Sequence, residues 1–363
     1  MEMNKKIIFS AGGTGGHIIP AVNIMKHFFD GGYKVKLVTD LRGRNFVKDF
    51  SKFEFYIVNS GTPTNKNFIM KILSIFKVLF SIIKSIYILK KERADLVFGL
   101  GGYVSFPISF ASKFLGIPLV IYENNLVLGR ANKILLSHAK KIFTAKKIEK
   151  NFPKKHEEKI INVGTILDKK IINNKILKKK YNADNISILV LGGSQGAEIF
   201  GKVVPSVMKM ISREGYNLEI NHQCITEQKN LILDFYKKNN IKNNVFEFRE
   251  DILNLILSSD FAITRCGAST TAELVHLQTP FIAIPLPNSI DDHQHLNGKY
   301  YEELGCCWFL NQANFDSKNL YNLVIDIINN KNKLENVQKN MKKNYNIDVY
   351  QKIEKEIESI IKQ

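Results

Sequence analysis

Cysteine is scarce. Cys224, Cys266, Cys306 and Cys307 are the only four in 363 residues, and their spacing matches neither a metal-ligand set nor a disulfide framework. A stapled secreted domain is excluded, and a reducing cytoplasm is the expected compartment. Acidic residues are also few, 34 Asp and Glu against 52 Lys and Arg, for a formal charge of +18. That excess attracts a polyanion or an anionic membrane surface. The lysines are scattered, without the interleaved aromatics or recognition motif of a nucleic-acid reader, so no nucleic-acid partner is assigned. The N-terminus runs straight into a strand, and no signal peptide is expected. No cluster resembles a carboxylate metal cage, and neither metal nor other cofactor is expected.

What is present reads as globular α/β. Hydrophobic residues make up 45% and charged residues 24%, and the length suits two domains rather than one core. A short apolar strand, residues 5–10, meets AGGTGGHIIPA at 11–21. The glycines let the backbone turn and approach a ligand. Asp40 ends the next strand and invites a dinucleotide-binding reading. That reading fails on spacing, because G-x-G-x-x-G cannot be completed with His at 17 and Ile at 18. His17 stands at the mouth of the loop, where a doubly wound fold binds ligands; it is a candidate general base or substrate hydrogen-bonder. DLVFGLGGYVSFPISFAS (95–112) repeats strand, Gly pair and helix. PLVIYENN (118–125) opens into a loop carrying Glu123, Asn124 and Asn125, whose amides can read sugar hydroxyls.

Residues 68–91 are the most hydrophobic stretch, interrupted by Lys71, Lys77 and Lys84 with Ser74, Ser81 and Ser85 nearby. Three lysines argue against a transmembrane span, at about 2.5–3.5 kcal/mol for each central lysine. A helix lying on a membrane surface is expected instead, with Ile75, Leu79, Phe80 and Ile82 toward lipid and the lysines around them.

The strand–glycine pattern begins again at ISILVLGGSQGAEIF (186–200), and the richest stretch runs from Phe261 to Asn297. There a strand, a small-residue loop and a helix signal follow one another. Ser269, Thr270 and Thr271 read as helix caps, and the amides they leave exposed form a seat for a diphosphate. Glu273 stands early in that helix, where a carboxylate can hold a ribose diol. Two halves that each open with strand, Gly loop and helix imply a ligand between them. The tail presents Val349, Ile353, Ile357, Ile360 and Ile361 on one helical face, which needs something to pack on.

AGGTGGHIIPA, GGYVSFP, ENNLVLGRANK, GGSQGA and the 261–297 stretch stand in the order and spacing of the MurG family, which the chain resembles over nearly its whole length. These are bacterial enzymes that convert lipid I to lipid II. The resemblance implies a GT-B fold, two facing Rossmann-like domains with a cleft between them. The N-terminal, membrane-facing acceptor domain would be 1–164 and the UDP-sugar domain 165–345, with a helix in 346–363 crossing back to the first. The implied reaction moves N-acetylglucosamine from UDP to the 4-hydroxyl of the undecaprenyl-linked muramyl sugar, with inversion, at the cytoplasmic face of the membrane. By the same resemblance Glu273 holds the uridine ribose. Ser194 and Gln195, with Ala268, Ser269, Thr270, Thr271 and Ala272, surround the diphosphate. Thr14, Gly15, Gly16, Asn125 and Gln294 lie about the transferred sugar, and His17 or Glu123 is the base.

The chain departs from the family pattern in three places. Tyr122-Glu123-Asn124-Asn125 replaces His-Glu-Gln-Asn. The usual Val-Gly-Asn-Pro-Val-Arg becomes Val163 to Asp168, exchanging an arginine for an acid, and Phe106 stands where the family prefers Gly. A UDP-N-acetylglucosamine 2-epimerase, sharing fold and donor, is the alternative enzyme. A basic nucleic-acid-binding protein is the alternative of another class.

Overall fold

The computed structural model describes residues 5–13, 15–44, 53–58, 61, 68–147, 152–174, 181–182, 184–193, 196–247, 249, 252–345 and 347–362. Of Phe68, Ile69, Lys71 and Ile290 it describes the backbone alone. Thr14, Ser194, Gln195 and the side chain of Lys71 therefore lie outside the described residues. The chain divides into two compact units, Met1–Asp168 with Asn346–Gln363, and Lys169–Tyr345.

The first unit alternates strand and helix. Its first elements are β1 (Lys6–Ser10), α1 (Gly15–Asp30), β2 (Lys34–Thr39), α2 (Leu41–Arg44), β3 (Phe55–Ile57) and α3 (Phe68–Glu92). They are followed by β4 (Leu96–Gly99), α4 (Ser105–Phe114), β5 (Leu119–Glu123), α5 (Arg130–Leu135), β6 (Lys141–Thr144) and β7 (Ile160–Asn162). The strands form one sheet in the order β3-β2-β1-β4-β5-β6-β7, with every pair parallel. Helices cover a parallel sheet, so its strands read as near-continuous apolar runs. Ile8, Val38, Val97, Ile121 and Ile142 accordingly share one fully buried core.

The second unit repeats the scheme with α6 (Lys169–Ile172), β8 (Ile186–Leu191), α7 (Glu198–Arg213), β9 (Leu218–Gln223), α8 (Lys229–Lys238) and β10 (Lys242–Phe246). Next come α9 (Ile252–Ser258), β11 (Phe261–Thr264), α10 (Ala268–His276), β12 (Phe281–Ala283), α11 (His293–Glu303), β13 (Trp308–Phe309), α12 (Ser317–Ile328) and α13 (Lys331–Lys343). Its all-parallel sheet runs β10-β9-β8-β11-β12-β13. Phe200, Val204, Val207, Met208 and Ile211 of α7 recur at helical spacing and fill its core.

The last helix, α14 (Val349–Ile361), belongs to the first unit. Val349, Ile353 and Ile357 are buried there. His27 of α1 meets Glu354 at 3.1 Å and stacks on Tyr350, and the Tyr350 hydroxyl donates to Leu167 O.

α3 is inverted relative to an ordinary amphipathic helix. Ser74, Ser81 and Ser85 are buried, while Phe76 and Phe80 are 64% and 70% exposed and Ile75, Leu79, Ile83 and Tyr87 are also exposed. Lys77 and Lys84 are exposed, so lysines and serines do not share one side of the helix. The inward serines satisfy themselves by bonding back along the helix, Ser74 Oγ to Met70 O and Ser85 Oγ to Ser81 O. Small side chains on this face, and Ser105, Ser109 and Ser112 buried on α4, allow close helix packing. Ile82 is a correction: it packs on the core instead of facing outward.

At the opposite end of α3, Glu92 is 4% exposed. Its carboxylate accepts from Lys6, Lys36 and the Tyr56 hydroxyl. Burial alone would raise its pKa, but the bonds from Tyr56, Lys36 and Lys6 outweigh it and hold the value at about 2. A carboxylate depressed on folding stabilises the fold above its unfolded pKa and loses that contribution as pH falls toward 2. Glu92→Gln should cost about 3 kcal/mol at neutral pH and flatten the acid limb of stability between roughly pH 4.5 and 2. Thermal denaturation across that range checks both; an acid limb as steep in the variant as in the parent removes Glu92 as its source.

Candidate active site

In each sheet the strand order reverses direction once, between β1 and β4 and between β8 and β11. Parallel strands bring their C-terminal ends to one edge, and the loops diverge at the reversal to leave a ligand-sized crevice. In the first unit these are the loops after Ser10 and Gly99, which pair in register. They interlock closely. A Cβ on Gly12 would fall 2.5 Å from Val104, and one on Gly102, whose φ is +78°, would fall 2.4 Å from Gly12 O. Only glycine permits that approach.

His17 sits in the first turns of α1, half-buried, with Nδ1 3.0 Å from Leu100 O. A carbonyl accepts only from a proton-bearing nitrogen, so in the neutral ring Nδ1 carries the hydrogen and Nε2 the lone pair. Pro20, inside α1, has no N–H to give the carbonyl of Gly16. Asn124 Nδ2 reaches that oxygen at 3.4 Å instead, joining the loop after β5 to the glycine loop. Gly15 is buried and Gly16 exposed at this helix start.

Glu123 occupies a different environment. It is 3% exposed and its two oxygens accept from Asn125 N, Asn125 Nδ2, Gly129 N and Asn132 Nδ2 at 2.9–3.3 Å. The carboxylate is thus the anchor that folds residues 124–132. Tyr122 is likewise internal. It accepts from Ile166 N, its hydroxyl lies 3.2 Å from both Asn124 Oδ1 and Gly164 O, and burial pushes its pKa up. Phe106 stacks on Phe110 and packs on the core, and Asp168 is half-buried.

In the second unit the crevice lies between the loops after Leu191 and Thr264, again in register. α10 begins at Ala268 with Gly267 as its cap, which corrects the expectation that Ser269, Thr270 and Thr271 cap it. They form its first turn, and Thr271 Oγ1 bonds back to Gly267 O at 2.9 Å. Thr271 and Ala272 are buried. Ala268, Ser269, Thr270 and Glu273 are half-buried, and the dipole of the first turn favours an anion. Gln294 Oε1 accepts from Leu286 N at 3.0 Å, fixing the loop after β12. Asn297, fully buried, donates to Cys266 O at 3.2 Å.

Arg265, not singled out from the sequence, is the cation of this edge. It is 7% exposed, donates to Ile284 O and Pro285 O, and lies 4.9 Å over the Phe200 ring. Its one sequence signal is a charge between an apolar strand and the small-residue turn. None of the four cysteines is in a disulfide, and all are buried. Among the described residues no three His, Cys, Asp or Glu gather as a metal site.

The glycosyltransferase family 28 N-terminal domain matches residues 7–144, and the family 28 C-terminal domain matches residues 187–356. A UDP-N-acetylglucosamine--N-acetylmuramyl-(pentapeptide) pyrophosphoryl-undecaprenol N-acetylglucosamine transferase from Pelagibacter ubique is 39% identical over 343 residues, 94% of each chain. The chain belongs to the MurG family. A protein of the same name from Rickettsia felis is 35% identical over 93% of this chain and 95% of its own. The crystal structure of Acinetobacter baumannii MurG superposes with a TM-score of 0.79 at 26% identity, covering 99% of this chain and 100% of that one. An S. aureus MnaA–UDP co-structure, at 14% identity and a TM-score of 0.68 over 96% of this chain and 94% of its own, shares the fold alone. The fold is that of the GT-B glycosyltransferases, as the MurG resemblance implied.

Glu123→Gln tests the anchor. The substitution turns one accepting oxygen into an NH2 that opposes donors, at a cost of about 2–4 kcal/mol. Melting temperature should fall and proteolysis within 124–132 should accelerate. An unchanged melting temperature with an intact loop removes the anchoring role.

Proposed function

We propose that this chain transfers N-acetylglucosamine from UDP-N-acetylglucosamine to the 4-hydroxyl of the muramyl sugar of undecaprenyl-linked lipid I, giving lipid II. The observation that carries the reading is 39% identity over 94% of a relative of that name. The matched motifs also lie on the strand-end edges where such folds bind ligands.

His17 is the base. Its Nδ1 donates to Leu100 O, which puts the basic lone pair on Nε2, the atom assigned to take the hydroxyl proton. The hydroxyl oxygen then bonds the anomeric carbon, the bond from that carbon to the diphosphate oxygen breaks, and UDP departs with the electron pair. One displacement inverts the centre. The first turn of α10 stabilises the departing charge through its amides and dipole, and Glu273 binds the ribose diol. Thr14, Gly15, Gly16, Asn125, Ser194, Gln195 and Gln294 are assigned to the donor sugar and its diphosphate; Glu123 holds Asn125 in place. Amide and dipole stabilisation serves this chemistry, so no cofactor is assigned.

The deciding experiment follows UDP release from UDP-N-acetylglucosamine with and without lipid I. Release that requires lipid I, with formation of the disaccharide-lipid, supports transfer. Conversion of the nucleotide sugar without lipid points to the 2-epimerase, whose solved structures share the fold. His17→Ala should lower turnover by about 10²–10⁴ and leave UDP affinity nearly unchanged. Equal turnover in the folded variant would mean another base.

The working location is the cytoplasmic face of the membrane, held peripherally by α3. Its Ile72–Glu92 segment is long and apolar enough to cross a bilayer, and 28% of its most apolar window is buried. Lys77 and Lys84 add electrostatic attraction to an anionic surface. Phe76→Gln with Phe80→Gln removes two large lipid-facing side chains, each contributing about 1.5–3 kcal/mol when buried. Binding to anionic vesicles should fall at least tenfold, while transfer to a short, water-soluble acceptor survives. Undiminished vesicle binding would show that this face does not dock.

A further inference from the structure

Beside the loop that carries Gln294, the second unit has a cavity of about 220 Å³. Pro285, Pro287, Asp292, His295, Gln312 and Asn314 are among its walls. It lies at the C-terminal ends of β12 and β13, with Leu286 in its wall. Nothing in the transfer chemistry above uses it. Three independent features give it a ligand's chemistry.

The first is composition. None of its described lining residues is Lys or Arg, and Asp292 supplies a carboxylate; an anion such as phosphate is disfavoured. A carboxylate, an imidazole and the amides of Asn311, Gln312 and Asn314 both accept and donate, which suits hydroxyl groups. Pro285, Leu286 and Pro287 offer the apolar surface that the C–H face of a sugar ring covers. The volume is below that of a drug-sized pocket and holds one small ring.

The second is an unmet hydrogen bond. Gln312 Oε1 is shut off from solvent without a partner, and such an oxygen costs about 1–3 kcal/mol. Its terminal torsion is soft, and Gln312 is itself a lining residue, so rotation about that torsion can present the oxygen to a hydroxyl in the cavity. The third is strain. Asn288, Asp291 and Asp292, at φ of 56°, 51° and 55°, are all left-handed non-glycine residues in the lip. Left-handed backbone of this kind clusters at ligand clamps.

We propose that this cavity is a second carbohydrate site, receiving one neutral pyranose ring, separate from the seat of the UDP-sugar. Asp292 and the Asn311–Asn314 turn hold the hydroxyls, and Gln312 Oε1 gains its missing donor. The site does not depend on the transfer reading.

Trp308, the only tryptophan, stands in β13 three residues before Asn311 and reports on the site. Titrating the full chain with free N-acetylglucosamine, or with glucose, should give a saturable fluorescence change with a midpoint on the order of 1 mM. Inorganic phosphate should give none, and saturating UDP should leave the midpoint in place. Gln312→Leu, which deletes an unsatisfied oxygen and so preserves the fold, should raise the midpoint at least tenfold without altering UDP binding or lipid-dependent UDP release. Asn314→Ala, at an exposed position, is the second variant and should weaken binding in the same direction. The proposal falls if no saturable change occurs by tens of millimolar sugar, if both variants titrate like the parent, or if UDP abolishes the response. Failure of lipid-dependent UDP release with the sugar response intact would overturn the transfer reading alone.

Discussion

Parallel pairing of every strand within each sheet is the constraint from which the rest follows. A parallel pair needs a crossover between its strands, and the handedness of those crossovers lays helices on both faces of the sheet. All strand C-termini then end at one edge, and the single reversal of strand order opens that edge between β1 and β4 and between β8 and β11. The proposed transfer chemistry sits on the loops that these reversals leave apart.

Those loops are held by contacts of unusual closeness. Gly12, Val104 and Gly102 fit together only because two of the three lack a side chain. Pro20 adds a different device, since the hydrogen bond it withholds from Gly16 leaves a carbonyl that Asn124 reaches from across the edge. Glu123 then organises the turn behind Asn124 with four donors on one carboxylate. Those four bonds commit the carboxylate to holding the turn. His17 differs in that its Nδ1 is held by Leu100 O at the glycine-loop edge, and that difference underlies its choice as the proposed base.

α3 shows a related trade. Facing serines inward and phenylalanines outward leaves several kilocalories per mole of apolar burial unrealised within the fold. The hydroxyls of Ser74 and Ser85 are satisfied by i−4 carbonyls, which lowers the cost of facing them inward. The unrealised burial is what the proposed docking to a lipid surface would draw on.

Apolar runs at strand length, glycines after them and helical periodicity between them were enough to read two Rossmann-like halves and to single out His17, Glu123 and Glu273 as candidates. Local chemistry decides these features, because a strand buried on both faces and a tight turn leave composition no alternative. Other matters depended on neighbours distant in the chain. Gly267 rather than the following hydroxyl residues caps α10, since Thr271 is needed inside the core. Arg265 gained its place from Phe200 and from the carbonyls after β12, far from it in sequence. The outward face of α3 was not readable from periodicity, because a helix apolar over most of its circumference does not say which side the serines will meet. Tertiary packing chose that side, through the serines of α4 that let the two helices come close.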